Sequence, residues 1–234
     1  MAPHLLRRAV RDLVLGEVCG GGCGRPAAEV CPSCAHLFVA RPHAVHPLGA
    51  PAGLPPTTAA AAYSGPVRSA LLAYKEAGRR GLVSPLGGLL AAAIAAAVGD
   101  ADALVVPVPS RRSTTRARGH DALLGIVAEA VDRRPGTEVR RLLGYTRRVV
   151  DQRGLGLAAR RENLVGALRV VTTSVEPGGR AVVLVDDVCS SGATLAAAAM
   201  AMRAAGMASP VAAVVAAPPR RTGPTAVTPR SSQD

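Results

Sequence analysis

Two adjacent carboxylates, Asp186 and Asp187, stand between an apolar run and a Ser/Gly/Thr loop in AVVLVDDVCSSGATL, residues 181–195. The run 181–185 lacks polar alternation, as expected of a parallel strand buried on both faces. Residues 193–205 have high helix propensity and stop at Gly206, a good helix C-cap. The turn between them, Val188, Cys189, Ser190, Ser191, Gly192, Ala193 and Thr194, then lies at the carboxyl edge of a sheet, where open α/β folds bind ligands. Ser190, Ser191 and Thr194 offer hydroxyls, Gly192 admits a close backbone approach, and a helix N-terminus presents free N–H groups to an anion. This is a phosphate cradle. Asp186 and Asp187 would repel a second phosphate beside it and suit hydroxyls or a divalent cation, so phosphate plus diol points to a ribose 5-phosphate. A dinucleotide-binding turn would need G-x-G-x-x-G here and a P-loop G-K-[ST], and neither is present.

A second cluster is made of thiols. Cys19, Cys23, Cys31 and Cys34 read C-x3-C-x7-C-x2-C, with Gly20, Gly21, Gly22 and Gly24 supplying turn freedom. Both pairs have spacings that let a tight knuckle present two thiolates to one tetrahedral zinc. In a reducing compartment a closed, structural Zn²⁺ site is favoured over two disulfides. His36, His43 and His46 lie nearby as substitute ligands, and Cys189 stands apart as a small filler of the phosphate loop.

The elements that must position these groups fall into four parts. Residues 1–38 are expected to hold a short amphipathic leader helix and the knuckle, 39–60 a Pro/Ala-rich linker, 61–217 one α/β unit and 218–234 a disordered tail. Helices are expected over 82–98 and 119–131, and strands over 103–108, 165–171, 181–185 and 211–216. Strands alternating with helices imply a parallel sheet flanked by helices. At 234 residues and 49% hydrophobic the chain supports one sizeable core, but one Phe, three Tyr and no Trp leave it to Ala, Val and Leu. The apolar stretch 86–98 is too short to span a bilayer, and the Arg-bearing N-terminus does not read as a signal peptide. No membrane insertion and a cytoplasmic setting are the expectation.

Charge adds a third clue. Of 28 basic residues 27 are arginine, and 14 Arg against six acids between residues 111 and 169 carry most of the net charge of +12. Arginine forks suit phosphate and pyrophosphate. Such a surface also fits nucleic acid, while a habit of using Arg wherever Lys would serve explains it as well. Scarce aromatics argue against a base-stacking platform.

The strand, acid pair and SSGAT loop together resemble the signature of the type I phosphoribosyltransferases. That resemblance implies that Asp186 and Asp187 hold the ribose hydroxyls of 5-phosphoribosyl-1-pyrophosphate and that the loop wraps its 5-phosphate. Further motifs follow in order: the four-Cys knuckle, YSGPVR (63–68), YKEAG (74–78), VPVP (106–109), RGHD (118–121), and a segment with Arg147, Gln152, Leu155, Arg160 and Asn163. This order resembles the ComF family, phosphoribosyltransferase-like proteins linked to DNA uptake in competent bacteria. The resemblance implies a type I phosphoribosyltransferase fold, with Lys75 and Arg118 joining Asp186 and Asp187 at the reacting centre. It implies a pyrophosphate turn at Ser110, Arg111 and Arg112, with Arg116 nearby, and a hood at Gln152, Arg160 and Asn163. Asp121 stands where the family commonly has Asn, and Tyr145 where it has arginine.

The implied reaction uses Mg²⁺ and passes the phosphoribosyl group to a nitrogen acceptor that the sequence does not identify. Two other readings share the site. One is an adaptor that binds single-stranded DNA or a helicase, and the other a sensor that binds phosphoribosyl pyrophosphate without turnover.

Overall fold

The computed structural model describes residues 18–27, 29–110, 121–146, 166–172, 177–207 and 209–219. The expected leader helix, most of the expected tail, Arg111, Arg112, Arg116, Arg118, Gln152, Arg160 and Asn163 lie outside these residues.

Beyond the knuckle the chain runs β1 (His43–Ala44), β2 (Thr57–Ala62), α1 (Gly65–Glu76), a 3-10 turn (Arg80–Leu82) and α2 (Val83–Val98). It continues with β3 (Ala103–Pro107), α3 (Ala122–Asp132), β4 (Thr137–Val139), β5 (Leu143–Tyr145) and β6 (Leu168–Val170). β7 (Ala181–Val188), α4 (Ala193–Ala204) and β8 (Val211–Ala217) complete the order. Six strands form one sheet in the order β1-β2-β8-β7-β3-β4, and β5 and β6 form a separate antiparallel hairpin. All pairings from β2 across to β4 are parallel, and only β1 joins antiparallel. This is the expected mostly parallel sheet flanked by helices.

Several expectations change in detail. The stretch 39–60 is more than a connector, since it supplies β1 and the start of β2, with Thr57, Ala59 and Ala60 buried. TTAAAA carries no bulky apolar residue to advertise a strand, yet its small side chains let α2 lie close over β2 and β8. Of the strand expected over 165–171, Leu168–Val170 pairs with β5 in the side hairpin instead of joining the main sheet. β7 extends three residues beyond the expected 185, so both aspartates belong to the strand and the turn is shorter than expected.

The run Arg80–Val98 is long and apolar enough, by length and composition, to cross a membrane, because the 3-10 turn and 83–85 lengthen the apolar stretch 86–98. Its Leu82, Leu86, Leu89, Leu90, Ala93 and Ile94 are buried in the main hydrophobic core. That is the packing of a core helix. On one flank α2 pairs with α3; on the other side of β7, α4 carries the β5–β6 hairpin. Gly87 permits the α2–α3 approach, since a Cβ there would overlap the Glu129 side chain.

Candidate functional site

Strand order locates the site. From β3 the chain moves through α3 to β4 on one side, whereas from β7 it moves through α4 to β8 on the other. β3 and β7 are neighbours, so their carboxyl ends flank the point where the winding reverses, the ligand crevice of open α/β sheets. Pro107 pairs with Val185, and Val108 N–H donates to Val185 O at 3.0 Å. The turn after β3 therefore lies beside the aspartates that follow Val185.

Strand pleating sends Asp186 and Asp187 to opposite faces of β7. Asp187 is buried at 8% exposure, and Lys75 Nζ, from the last turn of α1, pairs with its Oδ2. Asp186 Oδ1 accepts the Asp187 backbone N–H at 2.8 Å. Burial pushes the Asp186 carboxyl up to about 6, Lys75 opposes that rise and Asp121 adds to it. Three acids thus crowd the strand end, and Lys75 acts on both Asp186 and Asp187. That ammonium is the counter-charge of Asp187.

Two helix N-termini open at this edge, and they differ. At α3, Asp121 is the N-cap, and its Oδ1 accepts from Leu123 N at 3.2 Å and Leu124 N at 3.5 Å. The same oxygen accepts the Ser110 hydroxyl at 2.7 Å. Its carboxylate fills the place an anion would take. At α4 the N-cap is Gly192, which has no side chain and sits at φ +75°. Among the described residues only Ser191 Oγ approaches the first helical N–H, Ala193, at 3.4 Å. Ser190 is exposed, while Ser191, Gly192 and Ala193 are buried and Thr194 and Val188 are half-buried. Of the two, the terminus of α4 is the one that its cap leaves open. Cys189 is 2% exposed, and burial raises its thiol to about 12, which suits a packing role.

The β5–β6 hairpin rests on the start of α4, where Tyr145 and Ala167 pack with Ala193 and Ala197. Thr146 N–H donates to Ala167 O at 2.9 Å and Thr146 Oγ1 to Gly166 O at 3.0 Å. These bonds tie together the two described ends that flank 147–165, the stretch holding Gln152, Arg160 and Asn163. In the same way Ser110 and Asp121 join the ends flanking 111–120, the stretch holding Arg111, Arg112, Arg116 and Arg118. The structure thus brings together Lys75, Ser110, Asp186, Asp187 and the 188–194 loop.

Sequence reasoning gave Tyr74 no role beyond its place in YKEAG and missed Leu54. Tyr74 is buried against α3, where a Cβ on Gly125 would collide with its hydroxyl. Leu54 lies on Gly192, and a Cβ there would stand 2.8 Å from Leu54 Cδ1. Tyr74 adjoins Lys75 in a helix that went unrecognised, and Leu54 sits in the stretch expected to be a linker. The cap at Asp121 was legible as Asp followed by ALL, with the helix beginning three residues later than expected.

The four cysteines also converge. All four Sγ atoms lie within 4.8 Å of one another, and Cys19, Cys31 and Cys34 are buried. Zn–S bonds of about 2.3 Å would place tetrahedral sulfurs roughly 3.8 Å apart, and Cys23 Sγ and Cys31 Sγ stand 3.5 Å apart. Gly21 N–H and Cys31 N–H point at Cys19 Sγ from 3.3 and 3.2 Å, an arrangement that supports a thiolate. A Cβ on Gly21 would meet Cys34 Sγ at 2.8 Å, so only glycine lets the ligands close. Burial and the surrounding thiols hold the Cys34 proton tightly, so a cation is what would keep this set deprotonated. None of His36, His43 and His46 belongs to the cluster.

The knuckle is docked on the α1–α2 junction. Arg79 donates to Val18 O and, at 2.9 Å, to Ala27 O, and a Cβ on Gly20 would overlap Leu82.

No curated protein matches the chain at a significant level. Residues 143–232, which take in the acid pair of β7, the 188–194 loop, the open terminus of α4 and β8, match the family model of the phosphoribosyl transferase domain.

Proposed function

We propose that the chain is a ComF-like phosphoribosyltransferase that binds 5-phosphoribosyl-1-pyrophosphate with Mg²⁺ and passes its phosphoribosyl group to a nitrogen acceptor. The observation that carries this reading is the pairing of an open, glycine-capped helix N-terminus with two carboxylates at one switch-point strand end. The cradle at α4 takes the 5-phosphate through N–H groups and the hydroxyls of Ser190, Ser191 and Thr194. Asp186 and Asp187 take the ribose hydroxyls. Lys75 pairs with Asp187, and the carboxylate charge faces the cationic character that develops at the anomeric carbon.

The carboxylates also fit a divalent cation. Among the described residues no hydrogen bond or ion pair engages Asp186 Oδ2 or Asp187 Oδ1, and hard oxygens suit Mg²⁺. When bound, Mg²⁺ neutralises charge on the pyrophosphate. Ser110 and the arginines Arg111, Arg112, Arg116 and Arg118 are assigned to the same leaving group, and Gln152, Arg160 and Asn163 to cover over the ribose. In the reaction the nitrogen forms a bond to the anomeric carbon. The carbon–oxygen bond to pyrophosphate breaks, pyrophosphate departs with the electron pair, and the nitrogen loses its proton to solvent.

The knuckle is assigned one structural Zn²⁺ on Cys19, Cys23, Cys31 and Cys34, and the free thiols suit a reducing, cytoplasmic setting. A DNA-binding surface is the weaker reading. Arg133 and Arg134 spend their forks on Glu129, Ser84, Thr137 and backbone carbonyls, and Arg140 and Arg180 spend theirs on Glu138. Among the described residues of the basic stretch, Arg141 and Arg169 are exposed and could meet a phosphate backbone. Pyrophosphate release measured over a panel of free bases and amines tests the enzyme reading. Release with one acceptor supports it; tight ligand binding without release from any acceptor favours the sensor.

A further inference from the structure

We propose that Leu54 is a positioning residue of the 5-phosphate loop, a pin that holds Gly192 in its left-handed turn. The inference rests on the ribose 5-phosphate reading of that loop and deepens it. Its basis is a contact between two segments 138 residues apart in the chain. A Cβ on Gly192 would lie 2.8 and 2.9 Å from the two methyl carbons of Leu54 and 3.4 Å from its Cγ. The leucine end therefore lies directly over the Gly192 backbone.

The pin is itself held at both ends. Leu54 N–H donates to Pro51 O at 3.2 Å, closing a turn. Before it, Gly53 O accepts from Arg203 Nη2 of α4 at 3.1 Å, and Gly53 adopts φ +84° as it passes that guanidinium. Beyond it, Thr57 Oγ1 donates to Pro55 O at 2.7 Å as the chain enters β2. The strap 51–54 thus binds α4 near its C-terminus through Arg203 and at its N-terminus through Leu54.

Leu54 carries no polar group, so it cannot act on a phosphate directly. Its effect passes through Gly192, whose left-handed conformation aims the free N–H groups at the start of α4. Glycine visits other conformations freely unless neighbours hold it. A loosened Gly192 would scatter those donors, and a misplacement of about 1 Å can cost a site up to a hundredfold. The loss must then follow the 5-phosphate and spare a ligand held elsewhere. A general packing defect would weaken every ligand alike.

The test is calorimetric titration, with Mg²⁺, of the full chain and of Leu54→Ala, Leu54→Val and Leu54→Met. The ligands are ribose 5-phosphate and inorganic pyrophosphate. Leu54→Ala is expected to weaken ribose 5-phosphate by about tenfold while pyrophosphate affinity stays within twofold. Leu54→Met, which restores the reach, should return ribose 5-phosphate to near the wild-type value. If Leu54→Ala fails to fold, Leu54→Val should show the same ligand-selective loss in smaller degree. Equal loss of both ligands, or none of ribose 5-phosphate, overturns the proposal. Failure of the wild type to bind ribose 5-phosphate at all overturns the site reading, and the proposal with it.

Discussion

Asp186 carries the clearest pH signature of any single residue in the chain. Its ionisation is pushed up from the ordinary carboxylate range to about 6, chiefly by burial and further by Asp121. Below pH 4 both folded and unfolded chains hold its proton, and between pH 4 and 6 only the folded chain keeps it. Folding stability should therefore fall as pH rises through that window, and Asp186→Asn should flatten the slope. With allowance for partial exposure the effect is on the order of 1–2 kcal/mol, read by denaturant unfolding at pH 4.5 and 7. Ligand binding runs the other way, because ribose and metal need the carboxylate. Affinity for Mg²⁺ alone, a ligand that carries no phosphate, should weaken as pH drops below about 6. Lys75 acts on the same pair. Lys75→Gln should cost about 1–3 kcal/mol at pH 7 and less at pH 5, where protonation relieves the crowding. An equal loss at both values would mean that the ammonium is not a counter-charge.

At the scale of elements, the contrast between the two helix N-termini makes a paired prediction. Asp121→Ala should cost about 1 kcal/mol through loss of the α3 cap, whereas Asp121→Asn keeps an acceptor and should cost little. Because Asn removes a charge that raises Asp186, it should also shift the Asp186 midpoint to lower pH, read by carbon-13 NMR of the side-chain carboxyl. Gly192→Ala should be the more damaging change, since a left-handed backbone costs a residue with Cβ about 1–2 kcal/mol before the overlap with Leu54 is counted.

Elements also show what was legible in the sequence. AVVLV, the acid pair and the Ala-rich helix behind Gly192 announce themselves through local patterning. β2 does not: its four alanines make sense only once β8 and α2 lie against it. β5 and β6 are three residues each and separated by 22, so their pairing is a long-range fact that local periodicity does not encode. The acid pair was legible as chemistry and the family resemblance put Lys75 at the same centre, but its ion pair with Asp187, across 112 residues of chain, was not legible.

At the scale of the whole molecule, the thiol knuckle is docked on the helices that cover the sheet. Leu82, buried in the main core, also abuts Gly20, while Arg79 ties down the carbonyls of Val18 and Ala27. Cys31→Ser should abolish binding of the single zinc expected from elemental analysis, yet leave the ellipticity of the α/β core in place. Arg79→Ala should keep the metal but release it faster to a chromogenic chelator, by about five- to tenfold if two carbonyl contacts are worth roughly 1 kcal/mol.

The central claim is that one strand end and one helix N-terminus together hold a ribose 5-phosphate. Calorimetry with 5-phosphoribosyl-1-pyrophosphate and Mg²⁺, on wild type and on Asp186→Asn/Asp187→Asn, tests it most directly. The account predicts binding by the wild type and none detectable by the double variant, which stays folded because amides replace like charges at an acidic strand end. Equal binding by both proteins, or no binding by either, would contradict it.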